Sequence, residues 1–168
     1  MSISMHALSV PFFSQSLSNL AHVLAKGEAS AGERKIDPAV LVNARLAPDM
    51  HPLKRQVQIA TDNAKGACAR LAGVDIPSFP DTEETFAELQ TRIAAVKAFI
   101  DGLDPAGFEG AKDRDISLKF GPQSLDFKGL QYLQFFAVPN FLFHVVTAYD
   151  ILRHNGVPLG KSTFFGRG

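Results

Sequence analysis

The chain has 168 residues, which is enough for one domain with a substantial buried core. Hydrophobic residues make up 46% of the chain and charged residues 20%, as is typical of a globular protein. Lys and Arg together number 17, and so do Asp and Glu, so no net charge draws the chain to nucleic acid or to an anionic membrane. We therefore expect no nucleic acid and no membrane among its partners.

The cysteine content and the N-terminal composition indicate the compartment. Cys68 is the single cysteine and cannot form an internal disulfide, which fits a reducing cytosol. The first 25 residues are apolar, but they contain no Lys or Arg before Lys26, and Ser and His interrupt the apolar run. We expect a cytoplasmic protein without a signal peptide.

Apolar residues at alternating three- and four-residue steps predict a first helix near the N-terminus. Pro11 predicts a kink in it, or a fresh start with Ser9 as the cap, because proline cannot donate a backbone hydrogen bond. Lys26 and Gly27 are typical of a helix end. Only a short helical turn is expected between here and the second helix, around residues 38–42.

The second helix has the clearest pattern of the chain. Asp49 is a candidate cap, Pro52 suits the first turn, and Gly73 suits the end. Its buried stripe is predicted to contain Met50, Leu53, Val57, Ala60, Ala64, Ala67 and Leu71.

A third helix is followed by a change of period. Asp81 and Glu84 form a candidate capping box for this helix, and residues 104–107 end it. From Ile116 to Phe127 apolar and polar residues alternate on both sides of a turn at residues 121–124, which predicts a β-hairpin. Ile116, Leu118, Phe120, Leu125 and Phe127 are its apolar positions.

The fourth helix is predicted over residues 128–155 and is the most apolar of the four. Its stripe contains Leu130, Leu133, Ala137, Asn140, His144, Thr147 and Ile151. The segment is long enough to span a bilayer, but its Gln, Asn, His and Asp residues favour a buried helix of a soluble protein. A second apolar stripe on it predicts a face covered by the hairpin and the tail, or by a second copy of the chain.

Together these elements predict an all-α antiparallel four-helix bundle with a small β-hairpin flap between helices three and four. We expect residues 1–168 to form a single domain in which residues 156–168 are an extended C-terminal tail. The tail contains a glycine-rich stretch that ends in Lys161 and Ser162 and looks like a phosphate-binding loop. It has three residues between its glycines, where that loop needs four, so we do not expect nucleotide binding there.

Three consecutive polar positions in the fourth stripe, Asn140, His144 and Thr147, are the candidate site. They predict a small polar pocket, with Gln56 or Arg55 reaching into it from helix two. Asn63 flanks the same stripe of helix two, and these three residues either line the cavity or are solvated. His144 could instead be a metal ligand, since bundle cores often hold metals. The simple helical ligand pair would need a second His four residues away, and those positions hold Asn140 and Ala148.

Two stretches, PDMHPLKRQVQIA (48–60) and PNFLFHVVTAYDILRHNGVPLGKS (139–162), resemble an uncharacterised family found mostly in bacteria and also in fungi. That family is grouped with the DinB/YfiT-like superfamily of four-helix bundles, which are proposed metalloenzymes and often homodimers. The superfamily includes metal-dependent thiol S-transferases and a thiol-dependent isomerase. The resemblance therefore implies the same fold and a homodimer.

The resemblance also implies a metal triad, made of one His from helix two and a His-x-x-x-His pair from helix four. His144 matches this pattern, Ala148 or Asn140 stands where its partner would be, and His51 near the start of helix two is the other candidate. We predict a degenerate or absent metal site, with no cofactor expected and zinc or nickel as the alternative.

Our leading hypothesis is a soluble homodimer with a small-molecule pocket around His144 and no assigned reaction. One alternative is a metal-dependent enzyme acting on low-molecular-weight thiols, similar to the DinB/YfiT-like S-transferases. Another is a structural or interaction protein that uses its Phe-rich surface.

Overall fold

A computed structural model describes residues 3–167, apart from the side chain of Phe120. Residues 1, 2 and 168 of the predicted domain lie outside this description. The fold is mostly helical with one small antiparallel hairpin, as predicted. Its elements are α1 (Met5–Glu33), α2 (Pro38–Val42), α3 (Leu53–Ala72), α4 (Phe86–Asp101), a 3-10 turn (Pro105–Phe108), β1 (Asp115–Phe120), β2 (Gln123–Lys128), α5 (Gly129–Tyr132), a π-helical turn (Leu133–Ala137), α6 (Val138–His154) and α7 (Lys161–Phe164).

Helix α3 lies at the centre of the packing and contacts α1, α4 and α6. Its predicted stripe from Leu53 to Leu71 is fully buried, whereas Met50 lies before the helix and is only half-buried. Small alanine side chains on this stripe allow the neighbouring helices to approach closely. The polar residues of α3 that flank the stripe consequently face α4 and α6.

Helix α1 runs without a break from Met5 to Glu33, so the alternative of a fresh start at Ser9 is wrong, and so is the predicted end at Gly27. Ser4 is the N-cap and accepts a hydrogen bond from the Ala7 backbone, while the Ser9 hydroxyl donates to a carbonyl of the same helix. Pro11 is accommodated inside the helix.

Gly27 serves packing instead of helix termination. A β-carbon at this position would lie 3.0 Å from both terminal methyl groups of Leu152 on α6. The absence of a side chain therefore allows α6 to contact α1 at close range. Glycine at a helix crossing cannot be distinguished from glycine at a helix end by local sequence alone.

The predicted caps of the second and third helices are also wrong. Helix α3 begins after Pro52 without a side-chain cap, so Asp49 does not cap it. Helix α4 is capped by Thr85 in a reciprocal pair with Glu88, because Asp81 instead makes ion pairs with arginines. The predicted end of α3 is confirmed, since Gly73 adopts the left-handed conformation with φ of 72°.

The predicted hairpin is confirmed. Strands β1 and β2 pair antiparallel, with Ile116 opposite Phe127 and Leu118 opposite Leu125. Phe127 packs against the aromatic rings of Tyr132 and Phe136, which anchors the hairpin on the start of the last long helical stretch. The side chain of Phe120, another predicted apolar position, lies outside the described part.

Residues 129–154 form one continuous helical stretch with a π-helical turn before Pro139. The Val138 N–H donates to the Leu133 carbonyl five residues back. Pro139 has no N–H for the normal bond to Phe135, which accounts for the irregular turn at this place. By length and composition alone the stretch could cross a membrane, although core helices of soluble proteins pass the same test.

The C-terminal tail is not fully extended, because residues 161–164 form α7. The Gly160 N–H donates to the Thr163 hydroxyl at 3.3 Å, and Phe164 packs edge-on against Tyr149 at 5.6 Å between ring centroids. The prediction of an extended tail is therefore wrong in this part.

Candidate functional site

A hydrogen-bonded pair between α3 and α6 forms the centre of the candidate site. His144 Nδ1 lies 2.7 Å from Gln56 Oε1, and Gln56 is 1% exposed. Gln56 Nε2 donates to the His51 carbonyl at 3.0 Å. A carbonyl can only accept, so the amide nitrogen of Gln56 must face His51 and its oxygen must face His144. The proton of the neutral imidazole is therefore on Nδ1.

The surroundings of His144 favour this neutral form. Burial is the main cause that lowers its pKa, and the positive charges of His51 and Arg55 lower it further. In the neutral Nδ1–H tautomer, Nε2 carries a lone pair. Within residues 3–167 no hydrogen-bond donor contacts this nitrogen. Nε2 is thus available as a hydrogen-bond acceptor or as a base.

A second hydrogen-bonded pair between α3 and α6 joins two amide side chains and lies one helical turn from His144. Asn140 Nδ2 donates to Asn63 Oδ1 at 2.9 Å. Nδ2 of Asn63 is buried and has no hydrogen-bond partner in the described part of the chain. Such orphaned buried donors are rare in native proteins, because an unsatisfied polar group costs about 1–3 kcal/mol.

Two of the predicted pocket residues make their contacts elsewhere. Thr147 is buried, and its hydroxyl donates to the Phe143 carbonyl of its own helix at 2.7 Å. Arg55 forms an ion pair with Asp81 and donates to Gln58, so it affects His144 through its charge and not by contact. The structure therefore brings His144 and Gln56 together, with Asn140 one turn away.

The residues around His144 do not fit the metal triad. The His51 side chain is exposed, and Ala148 is fully buried with no ligand atom. Across residues 3–167, no group of three or more His, Cys, Asp or Glu side chains could hold an ion. Burial, with a contribution from Asp101, raises the pKa of Cys68 to about 12, so this thiol stays protonated. We assign no reaction step to a metal or to a thiolate.

Asn63, which flanks the predicted stripe of the second helix, is the partner of Asn140. It lies seven residues after Gln56, which places both side chains on the same face of α3. Two amide side chains seven residues apart on a largely buried helix are the sequence signal that indicates a polar site there. The fourth stripe alone could not show which residue of α3 faces Asn140.

A second polar cluster surrounds Arg92 of α4, which is 3% exposed. Each of the three nitrogen atoms of its guanidinium donates at least one hydrogen bond. Nε donates to Thr61 at 2.7 Å, the other hydrogen-bond acceptors belong to Asp62, Pro80 and Glu83, and Nη2 also forms an ion pair with Asp81. This cluster ties the loop before α4 to α3 and α4.

Comparison with known proteins identifies the family of the chain. A family model described as a domain of unknown function, DUF1993, matches residues 5–165. The chain belongs to this family. It is also similar to the crystal structure of a DinB family member protein from Shewanella denitrificans. The two are 42% identical, the match covers 98% of this chain and 93% of that one, and the TM-score is 0.91.

The predicted resemblance to an uncharacterised, DinB-like family is therefore confirmed. No curated protein matches the chain.

Proposed function

We propose that the chain binds a small molecule between α3 and α6, with His144 Nε2 as the acceptor of a hydrogen bond from the ligand. The observation that carries the proposal is the contact between Gln56 and His144, which holds the imidazole as the Nδ1–H tautomer. A fixed tautomer with an unpartnered Nε2 is the arrangement that binding or proton abstraction requires.

The ligand should offer a hydroxyl, a thiol or an N–H to His144. Asn63 Nδ2 is a donor without a partner, and a ligand oxygen would satisfy it directly or through a bridging water. The Phe143 ring lies edge-on to His144 at 5.2 Å and adds an apolar surface beside the acceptor. A small ligand with a polar group and an apolar part matches these features.

The architecture and assembly are part of the same proposal. Contacts of α3 with α1, α4 and α6 support an antiparallel four-helix bundle of these long helices. Phe135 is 72% exposed and Phe143 55% exposed on one helical stretch, which supports a homodimer that covers this apolar face. The single buried Cys68 supports a cytoplasmic location.

The second candidate is a metal-dependent enzyme acting on small thiols. It is favoured by the proximity of His51, whose charge lowers the pKa of His144. The two imidazoles would still need a third ligand, since a catalytic zinc site has about three protein ligands. The described residues do not supply one, so we rank this candidate second.

The test is a titration with small hydrogen-bond donors, monitored by two-dimensional amide NMR. The probes are ethanol, phenol, acetamide and 2-mercaptoethanol, each with and without Zn²⁺ or Ni²⁺. We expect at least one probe to shift Asn63, Asn140 and His144 saturably without metal. His144→Phe should abolish this response, and His154→Phe, a control at the exposed end of the same helix, should retain it.

Two results would overturn the proposal. One is that no probe shifts these three residues, and the other is that His144→Phe binds like the unaltered chain. Binding of 2-mercaptoethanol only in the presence of metal would instead support the thiol enzyme.

A further inference from the structure

A cavity of about 840 Å³ lies between α1 and the C-terminal segment, on residues not involved in the proposed His144 site. Lys161, Ser162 and Arg167 line it from the segment, and Asn19 lines it from α1. No Asp or Glu is among the residues that line this cavity. Within residues 3–167, its walls therefore offer two positive charges and no negative charge.

The fold fixes the backbone that carries both cations. Arg167 donates its backbone N–H to the Ser162 carbonyl at 2.9 Å, which closes a turn around α7. Gly166 permits this turn by adopting φ of 71°. Because α7 contacts α1 and Phe164 packs on Tyr149, the turn is fixed against the body of the protein. The closed turn returns Arg167 to the neighbourhood of Lys161.

Neither cation has a charged partner within residues 3–167. In the described part of the chain, Lys161 and Arg167 make no ion pair and no side-chain hydrogen bond. By contrast, Arg92 and Arg114 use their guanidinium groups to satisfy carboxylates or carbonyls. Two unpaired cations that line one cavity attract an anion more strongly than either does alone.

The uncharged polar groups of the cavity can also donate hydrogen bonds to an anion. Asn19 Oδ1 accepts a hydrogen bond from Gln15 Nε2 at 2.9 Å, which leaves Asn19 Nδ2 as its free donor. The Ser162 hydroxyl can donate as well. Phe165, 54% exposed, adds an aromatic surface to the same cavity. A ligand with several acceptor oxygens and a ring would use all of these groups.

We propose that this cavity binds a small organic phosphate, with Lys161 and Arg167 on the phosphate oxygens and Phe165 against the organic part. A phosphate monoester carries about two negative charges at neutral pH, which matches the two cations. The site uses Lys161 and Ser162 without the loop geometry of nucleotide-binding proteins. It does not depend on the function proposed for His144.

The experiment is a titration with phenyl phosphate, inorganic phosphate and phenol, read by amide NMR at low salt. We expect phenyl phosphate to shift Gln15, Asn19, Ser162 and Gly166 saturably, and phenol to leave them unchanged. The double variant Lys161→Gln/Arg167→Gln should bind phenyl phosphate at least about tenfold more weakly, since two charge-assisted contacts are lost. The control is Lys112→Gln/Lys119→Gln, which removes the same charge from exposed lysines elsewhere and should retain the affinity.

Phe165→Ala separates the two parts of the ligand. It should weaken binding of phenyl phosphate and leave binding of inorganic phosphate unchanged, because the ring contact serves only the organic part. The proposal is overturned if phenyl phosphate gives no saturable shifts at these residues, or if the control double variant loses as much affinity. Equal binding of inorganic and phenyl phosphate would overturn the assignment to an organic phosphate.

Discussion

Two polar clusters flank α3, and they differ in how completely their hydrogen-bonding groups are used. Around Arg92, all three nitrogen atoms of the guanidinium donate hydrogen bonds to the protein. Around His144, the imidazole Nε2 and the buried Nδ2 of Asn63 have no partner within residues 3–167. Each nitrogen of the Arg92 guanidinium is engaged by the protein and none is kept for a ligand, so we assign this cluster to the fold. The incomplete cluster keeps capacity for one, at a cost in stability.

The largest effect is expected for Arg92→Ala. The substitution leaves the Glu83 carboxylate without a cation and takes one of two cations from Asp62 and from Asp81, which keep Lys65 and Arg55. The free energy of unfolding should therefore fall by about 3 kcal/mol, the low end for a broken buried pair, because Asp62 and Asp81 are partly exposed. Urea denaturation measures this loss. The matched control is Arg153→Ala at an exposed position of α6, which should change stability by no more than about 0.5 kcal/mol. Similar losses in both variants would show that the Arg92 cluster is not a structural unit.

An intermediate effect is expected for Gln56→Leu. It removes one hydrogen bond from His144 and one from the His51 carbonyl, so the loss should be about 1–2 kcal/mol. Its more specific effect is on the imidazole, whose ¹⁵N chemical shifts should no longer report the Nδ1–H tautomer alone. Gln56→Glu should instead raise the pKa of His144 by placing a negative charge beside it. An unchanged tautomer in Gln56→Leu would contradict the role given to Gln56.

Acid should weaken the cluster around His144. Because burial lowers the pKa of His144, the unfolded chain takes up this proton at a higher pH than the folded chain. The stabilisation from a neutral His144 is thus complete above the ordinary pKa of about 6.5 and is lost as the pH falls through the lower folded value. Thermal unfolding between about pH 7.5 and about pH 5 should show a steeper loss in the unaltered chain than in His144→Phe. If the two proteins lost stability in parallel as the pH fell, a lowered pKa of His144 would be contradicted.

The smallest effect is expected for the double variant Asn63→Leu/Asn140→Leu. It removes both members of a pair together with the orphaned donor, so stability should stay within about 0.5 kcal/mol or rise slightly. Chemical denaturation and the NMR probe titration on the same variant separate stability from binding. A large loss of stability would mean that the Asn pair is needed for the fold.

The sequence predicted the helical elements and the hairpin well, because their periodicity is local information. Gly73 was recognisable as a helix end since it needs the left-handed conformation. Gly27 was not, because its role depends on Leu152, which lies far away in the sequence. Asp81 was predicted to be a cap because its spacing from Glu84 is local information, whereas its ion-pair partners, Arg55 and Arg92, lie on other elements.

The candidate site was predictable only in part. His144 and Asn140 were singled out as polar residues on an apolar stripe, and Gln56 was a candidate from the facing helix. Which atom of His144 carries the proton depends on a chain of contacts from His51 through Gln56, and periodicity contains no such information. Thr147 had the right spacing, but its hydroxyl bonds to its own helix, as threonine often does.

The π-helical turn at Leu133–Ala137 adds one residue between the two halves of the last long helical stretch. The first half is anchored by Tyr132 beneath the hairpin, and the second presents Asn140 and His144 to α3. One residue corresponds to about 100° of helix rotation. Removal of a single residue from this turn should restore a regular helix with both halves still in register, whereas keeping every residue in a regular α-helix would rotate Asn140 and His144 away from their partners. The turn therefore sets the rotational orientation of Asn140 and His144 relative to the hairpin.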